Sequence, residues 1–261
     1  MEERLYQEFY AVERTHWWSV GMRGILHMLL GAAVRDLRDP RILDLGCGTG
    51  ITMEEFRRHG RMIGVDLAWA ALFHVRKRDP AFALVQADLA GLPIASGSVE
   101  VVLAFDVLEH LDDDAGAVRE IRRVLCPGGV ALINVPAFPS LWSGKDDANR
   151  HRRRYTTASL GRLLEPAGFL VERLTYTNAA LFLPIWCARQ IQRRTRRPWD
   201  SEAEYHPRPF VNRALIRLLG VERTLLRRFD FPFGTSVTCL ARREPRGESQ
   251  AAPVDGREAD G

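Results

Sequence analysis

The chain has 261 residues, 46% of them hydrophobic, with a formal net charge of +4. That suits one large α/β domain with decorations and a filled core. Its four scattered cysteines, Cys47, Cys126, Cys187 and Cys239, argue against a disulfide framework and a zinc site and fit a reducing compartment.

From Arg41 the chain alternates strand-like and helix-like segments, the pattern of βαβ units and a parallel sheet. Strand 41–45 runs into Gly46-Cys47-Gly48-Thr49-Gly50 and a helix through about Arg58. Strand 61–66, helix 68–78 and strand 82–86 follow, then strand 99–105 behind a Gly- and Pro-punctuated loop. Asp112 to Asp114 supply capping carboxylates for a helix through Leu125. Pro127-Gly128-Gly129 is read as a turn into strand 130–135, and a helix over 156–167 ends at Gly168 before strand 169–176. The last strand is expected over 235–241, which leaves an insert at about 177–233 where a short connection would do. Helices over 181–194 and 211–228 are expected there, and the tail over 244–261 reads as disordered. The main domain is therefore placed at 40–243, behind an N-terminal segment over 1–39.

The run Ile42-Leu43-Asp44-Leu45-Gly46-Cys47-Gly48-Thr49-Gly50 carries the strongest signal. An apolar strand meets glycines that let the backbone approach a ligand, with a helix N-terminus beyond. Dinucleotide enzymes space these glycines as G-x-G-x-x-G; here the spacing is G-x-G-x-G, with Asp44 two residues earlier. A carboxylate there suits an amine and ill suits a pyrophosphate, although a purely structural turn would use similar residues. Asp66 ends the second strand, where it can accept from two ribose hydroxyls. Asp88 follows the third, placed either for an adenine amino group or as a helix cap, and Leu89 could cover the ring. Together they describe a nucleoside whose amino acid end reaches Asp44 and the glycines.

With Phe105-Asp106-Val107-Leu108-Glu109-His110-Leu111 and Leu125-Cys126-Pro127-Gly128-Gly129, these motifs resemble the class I S-adenosylmethionine-dependent methyltransferases, over about Arg41 to Pro136. The resemblance implies a Rossmann-like α/β fold: a seven-stranded, mostly parallel sheet with an antiparallel last strand. It implies S-adenosylmethionine as cofactor, with Gly46, Gly48 and Gly50 at its methionine end, Asp66 at the ribose, and Asp88 and Leu89 at the adenine. Cys47, Leu67 and Phe105, within or beside the motifs, join the cofactor-binding set. His16-Trp17-Trp18 and Gly21-Met22-Arg23 resemble the N-terminal helix of small-molecule methyltransferases, making 1–39 a helical cap. By that resemblance Trp17 and Trp18 pack near the cofactor and Arg23 meets its carboxylate; the bland alternative is an amphipathic helix covering the sheet. Leu141-Trp142-Ser143, Asp146 and His151-Arg152-Arg153-Arg154-Tyr155 resemble a bacterial subgroup of undefined substrate.

Ligands of open α/β sheets bind beyond the carboxyl ends of the strands. Glu109, His110 and His151 fall there, as candidates for orienting the acceptor or taking its proton, or as braces for the cofactor loop. No metal site is expected. Strand 99–105 lacks the Pro-Pro-Tyr type loop of amino-methylating nucleic-acid enzymes, and no cysteine follows it for cytosine chemistry. A small-molecule, glycan or lipid-linked hydroxyl is the expected acceptor; an RNA methyltransferase and a non-catalytic S-adenosylmethionine-binding module are the alternatives. Arginines gather at 150–154 and between 189 and 228. In the insert they border apolar faces, as on a helix lying on anionic lipid or on a helix pair packed over the sheet edge. Met1-Glu2-Glu3-Arg4 is no apolar leader, and no apolar run approaches about 18 residues. A cytoplasmic protein is expected, with peripheral membrane contact through the insert as the second reading.

Overall fold

Seven strands make one sheet in the computed structural model, which describes residues 3–195 and 206–245. They are β1 (Arg41–Leu45), β2 (Arg61–Asp66), β3 (Ala83–Gln86), β4 (Val99–Phe105), β5 (Leu125–Pro136), β6 (Phe169–Thr177) and β7 (Ser236–Arg243). Their order is β3-β2-β1-β4-β5-β7-β6, and β7 runs antiparallel to both of its neighbours. The other pairings are parallel, as near-continuous apolar strands require when helices cover both faces.

Alternation along β4 divides the core. Val102 and Ala104 face one layer with Ile121, Leu160 and Leu164, from α5 (Asp114–Val124) and α7 (Thr157–Leu164). Val101 and Leu103 face the other, with Ile25 and Leu30 of α2 (Trp17–Ala33), Phe56 of α3 (Ile51–Phe56) and Leu72 of α4 (Trp69–Arg78). Strand order reverses between β1 and β4, which opens a crevice above their carboxyl ends.

Several boundaries differ from expectation, each for a local reason. Pro127-Gly128-Gly129 is not a free turn: β5 begins at Leu125, which pairs with Val99, and a register shift between Val99 and Val101 absorbs the irregularity. The helix expected through Ala167 stops at Leu164, because Pro166 removes an amide and a 3-10 turn over 165–167 takes over. The first helix of the domain likewise ends at Phe56 and tightens into a 3-10 turn. Asp113 caps α5, its carboxylate accepting from the Gly116 amide at 2.8 Å.

The insert holds α8 (Phe182–Thr195) and α9 (Pro209–Leu225), with the short α6 (Gly144–Ala148) earlier in the chain. α9 lies on α2: a Cβ on Gly21 would sit 2.2 Å from Leu219 Cδ1, so only glycine admits this approach. Asn212 closes the contact, accepting from the Trp17 amide and donating to the Thr15 carbonyl, both at 2.8 Å. Glu222, buried on the same helix, accepts from the amides of Asn178, Ala179 and Ala180 where the chain leaves β6. The tail over 246–261 lies outside the described residues.

Candidate active site

Two cavities lie above the carboxyl ends of the strands. The larger, about 660 Å³, is walled by Gly46, Gly48, Asp66, Leu67, Asp88 and Leu89, and by Tyr6 of α1 (Glu3–Val12). Gly46 and Gly48 hold φ of +65° and +53°, which side chains resist, and a Cβ on Gly46 would strike Val107 at 2.7 Å. Asp66 braces this loop, accepting from the Gly48 amide at 3.0 Å and the Ala68 amide at 2.8 Å. Each oxygen keeps a lone pair for a ligand hydroxyl. Asp88 is exposed on the rim, one oxygen accepting from the Ala90 amide, and buried Leu89 gives an apolar wall.

Asp44 is not on the wall. It lies beneath the loop, buried, with Oδ2 lacking any hydrogen-bond partner, and burial followed by the charge of Asp66 pushes its carboxyl well above the ordinary range. Cys47 points inward toward Gly64, Gly50 packs against Val75 as it starts α3, and Phe105 meets Phe56 edge-on in the core. Arg23 goes elsewhere: it is buried, paired with Glu55 at 2.9 Å and donating to the Glu13 carbonyl. That leaves its guanidinium bound inside the fold rather than on either cavity wall.

The second cavity, about 250 Å³, is lined by Phe9, Trp17, Trp18, Leu141 and Ile185, with Asn178 and Arg189. Trp17 and Trp18 thus face this space and not the larger one. Asn149 and Asn178, both buried, each leave an amide oxygen without a partner. Such orphan acceptors suit a ligand carrying hydroxyl or amine donors.

The two cavities share Asp106, His110 and Asn149. Asp106 turns the chain out of β4 at a φ of +51° and accepts from Asn134 at 3.1 Å. Burial, with the charge of Asp106 next, holds the Glu109 carboxyl far above its ordinary range; neither of its oxygens has a hydrogen-bond partner among the described residues. Burial and then His151 push His110 down to about 4, so its ring is neutral at pH 7. The two histidine rings meet edge to face, 4.7 Å apart. His151 is oriented from behind by Asp146, 2.9 Å from its Nδ1. Asp146 accepts in turn from Arg154 at 2.7 and 3.0 Å and from the Ser143 amide at 2.8 Å. Burial opposes its charge, but His151 and Arg154 hold that carboxyl well below the usual range.

Reading the sequence missed Tyr6, Asn149 and the tie between cap and glycine loop. There Glu13, nearly fully buried, accepts from Thr49 and pairs with Arg78, which also donates to the Thr49 carbonyl at 2.7 Å and reaches Glu54 at 3.0 Å. Nothing in the spacing of these residues marks them, since the partners lie up to 65 positions apart.

Residues 43–133 match a family described as Methyltransferase domain. Over that stretch the chain carries a methyltransferase domain. It is 41% identical over 134 residues to a Mycolicibacterium smegmatis protein named "Probable S-adenosylmethionine-dependent methyltransferase", covering 50% of this chain and 52% of that one. A malonyl-[acyl-carrier protein] O-methyltransferase of Hamiltonella defensa is 32% identical over 107 residues, 41% and 42% of the two chains. The chain thus spans about half the length of the curated relatives it matches. Among solved structures, an S-adenosylmethionine-dependent methyltransferase from Mesorhizobium loti aligns at a TM-score of 0.55 and 18% identity, over 82% of this chain and 96% of that one. The [4+2]-cyclase SpnF aligns at 0.55 and 19%, over 84% and 80%. The methyltransferase fold is shared with both.

The larger cavity fits this cofactor on its own geometry. Glycine backbone, a carboxylate at each of two strand ends and a buried leucine wall suit an amino acid, a ribose and an adenine. No helix among the described residues is long and apolar enough to cross a membrane.

Proposed function

We propose that this methyltransferase domain acts on an oxygen of a small-molecule, glycan or lipid-linked acceptor held in the second cavity. The supporting observation is the seam: one cavity fits the cofactor, the other offers an apolar wall with two orphan amide oxygens, and Asp106, His110 and Asn149 belong to both. S-adenosylmethionine supplies a methyl group on a cationic sulfur, so the protein needs chiefly to align the acceptor and exclude water. Trp17, Trp18, Leu141 and Ile185 exclude water, while Asn149 and Asn178 take hydrogen bonds from the acceptor. The acceptor's proton falls to the group formed by Glu109, His110 and His151, the ring of His110 being neutral and able to offer a lone pair. The malonyl-carrier relative, itself an O-methyltransferase, is in line with an oxygen acceptor.

Calorimetry with S-adenosylmethionine, S-adenosylhomocysteine and NAD, followed by mass spectrometry of hydroxylated acceptors, tests this reading. Binding of the two sulfur nucleosides but not NAD, with a methyl gained on oxygen, supports it. Methyl gain on nitrogen alone, or no nucleoside binding by folded protein, rules it out.

A lipid-linked acceptor is favoured by one further observation. Leu183, Trp186 and Ile191 of α8 and Phe210, Val221 and Phe229 on and after α9 are exposed, among exposed Arg194, Arg213 and Arg217. This is the composition of a surface that rests on anionic lipid. Co-sedimentation with phosphatidylglycerol vesicles at low salt, lost on Leu183→Glu with Phe210→Glu, would support it; no sedimentation of the wild type would count it out.

A further inference from the structure

The seam holds more than a proton acceptor requires. Glu109, His110 and His151 each offer a ligand atom, all within 4.8 Å of one another, and His151 Nε2 stands 4.0 Å from Glu109 Oε1. A cation with bonds of about 2.1 Å sets its ligand atoms roughly 3–4 Å apart, so a small inward movement completes the site.

Two features of the surroundings point the same way. Glu109 is fully buried, yet both carboxylate oxygens lack a hydrogen-bond partner among the described residues. Buried carboxylates are otherwise paired, hydrogen-bonded or coordinated to metal. His151, in addition, receives Asp146 at Nδ1, and Asp146 is fixed by Arg154 and Ser143. A proton held at Nδ1 by a carboxylate leaves the Nε2 lone pair directed at Glu109, the arrangement that orients metal-ligating histidines.

We infer that Glu109, His110 and His151 bind one divalent transition-metal cation at the seam of the two cavities. Two imidazoles and one carboxylate suit manganese, iron or zinc, and leave positions open toward the acceptor cavity. Open positions side by side select acceptors with two neighbouring oxygens, such as a vicinal diol or a hydroxy-carbonyl group. With the cation bound these three side chains no longer serve as the base, and a hydroxyl oxygen at such a position loses its proton to water near neutral pH. Its lone pair then forms the new oxygen–carbon bond while the sulfur–carbon pair returns to sulfur. Asp146 acts as a positioning residue through His151.

This inference rests on the methyltransferase reading, and the experiment separates the two. Chelator-stripped full-length chain is titrated with Mn²⁺, followed by paramagnetic resonance, and in parallel with S-adenosylhomocysteine by calorimetry. One Mn²⁺ per chain is expected. His151→Ala and Asp146→Asn should each weaken it by roughly 10-fold or more, with S-adenosylhomocysteine affinity unchanged. Glu109→Gln should abolish it; where that variant fails to fold, the two others decide. Nucleoside binding without a stoichiometric Mn²⁺ or Zn²⁺ site, or Mn²⁺ affinity untouched by His110→Ala and His151→Ala, overturns the cation site and leaves the methyltransferase reading intact. Failure of folded wild-type protein to bind S-adenosylhomocysteine overturns both.

Discussion

Gly48 shows how much one backbone angle governs. Its φ of +53° is open to glycine, and the protein itself leaves space there, the nearest atom to a built Cβ being the Gly46 carbonyl at 3.9 Å. A side chain at this position therefore meets strain of about 1–2 kcal/mol and projects beside the ligand rather than into the core. Gly48→Val should weaken S-adenosylhomocysteine by about 10-fold or more, measured by calorimetry, with only a modest fall in Tm. A second residue-scale effect lies at the opposite end of the sheet. Glu100 accepts from the Arg41 amide at 2.8 Å and its guanidinium at 2.6 Å, and this pairing lowers its carboxyl from 4.5 to about 2. A depressed folded-state value contributes stability above the unfolded value, lost as pH falls through the folded one. Glu100→Gln should therefore be less stable than wild type at pH 7, and the gap should close as pH drops from about 4.5 toward 2. Urea midpoints across that range provide the check, and a gap independent of pH would contradict it.

At the scale of elements, α2 and α9 hold the cap and the insert together through a glycine. Gly21→Val forces a branched side chain into Leu219, with an expected loss of about 1–3 kcal/mol. Leu219→Ala in the same chain should recover part of that loss, since it vacates the space; strict additivity of the two changes would argue that the helices part in solution. This contact also shows where reading the sequence stops. Strands 41–45, 61–66 and 99–105 were legible because apolar runs, glycines and capping acids are local signals. Leu219 on Gly21 and Glu222 on the Asn178 amide pair residues far apart in sequence, and no local period encodes that. Arg23 illustrates the same limit: its place in the helix was legible, but Glu55 captured its charge. Pro127-Gly128-Gly129 read as a turn because strand pairing to Val99 is likewise non-local.

For the molecule as a whole, the lining of the larger cavity was mostly legible, while of the second cavity Glu109, His110 and His151 were singled out and most of the rest was hidden. Glycine spacing and strand-end acids belong to one contiguous stretch, whereas the second cavity draws on α1, α2, the stretch after β5, α8 and the start of β7. One consequence follows from how α1 bridges the two. Tyr6 lines the larger space and Phe9 the smaller, three residues apart on one helix, and Glu13 just beyond its end is fastened to Arg78 and Thr49. We predict that release of both proposed ligands depends on this helix, because it borders both cavities. Glu13→Gln should shorten the residence time of S-adenosylhomocysteine and of a bound acceptor by the same factor in stopped-flow displacement. Unequal factors would mean that the two compartments breathe separately; equal ones make this helix the clock of the turnover cycle.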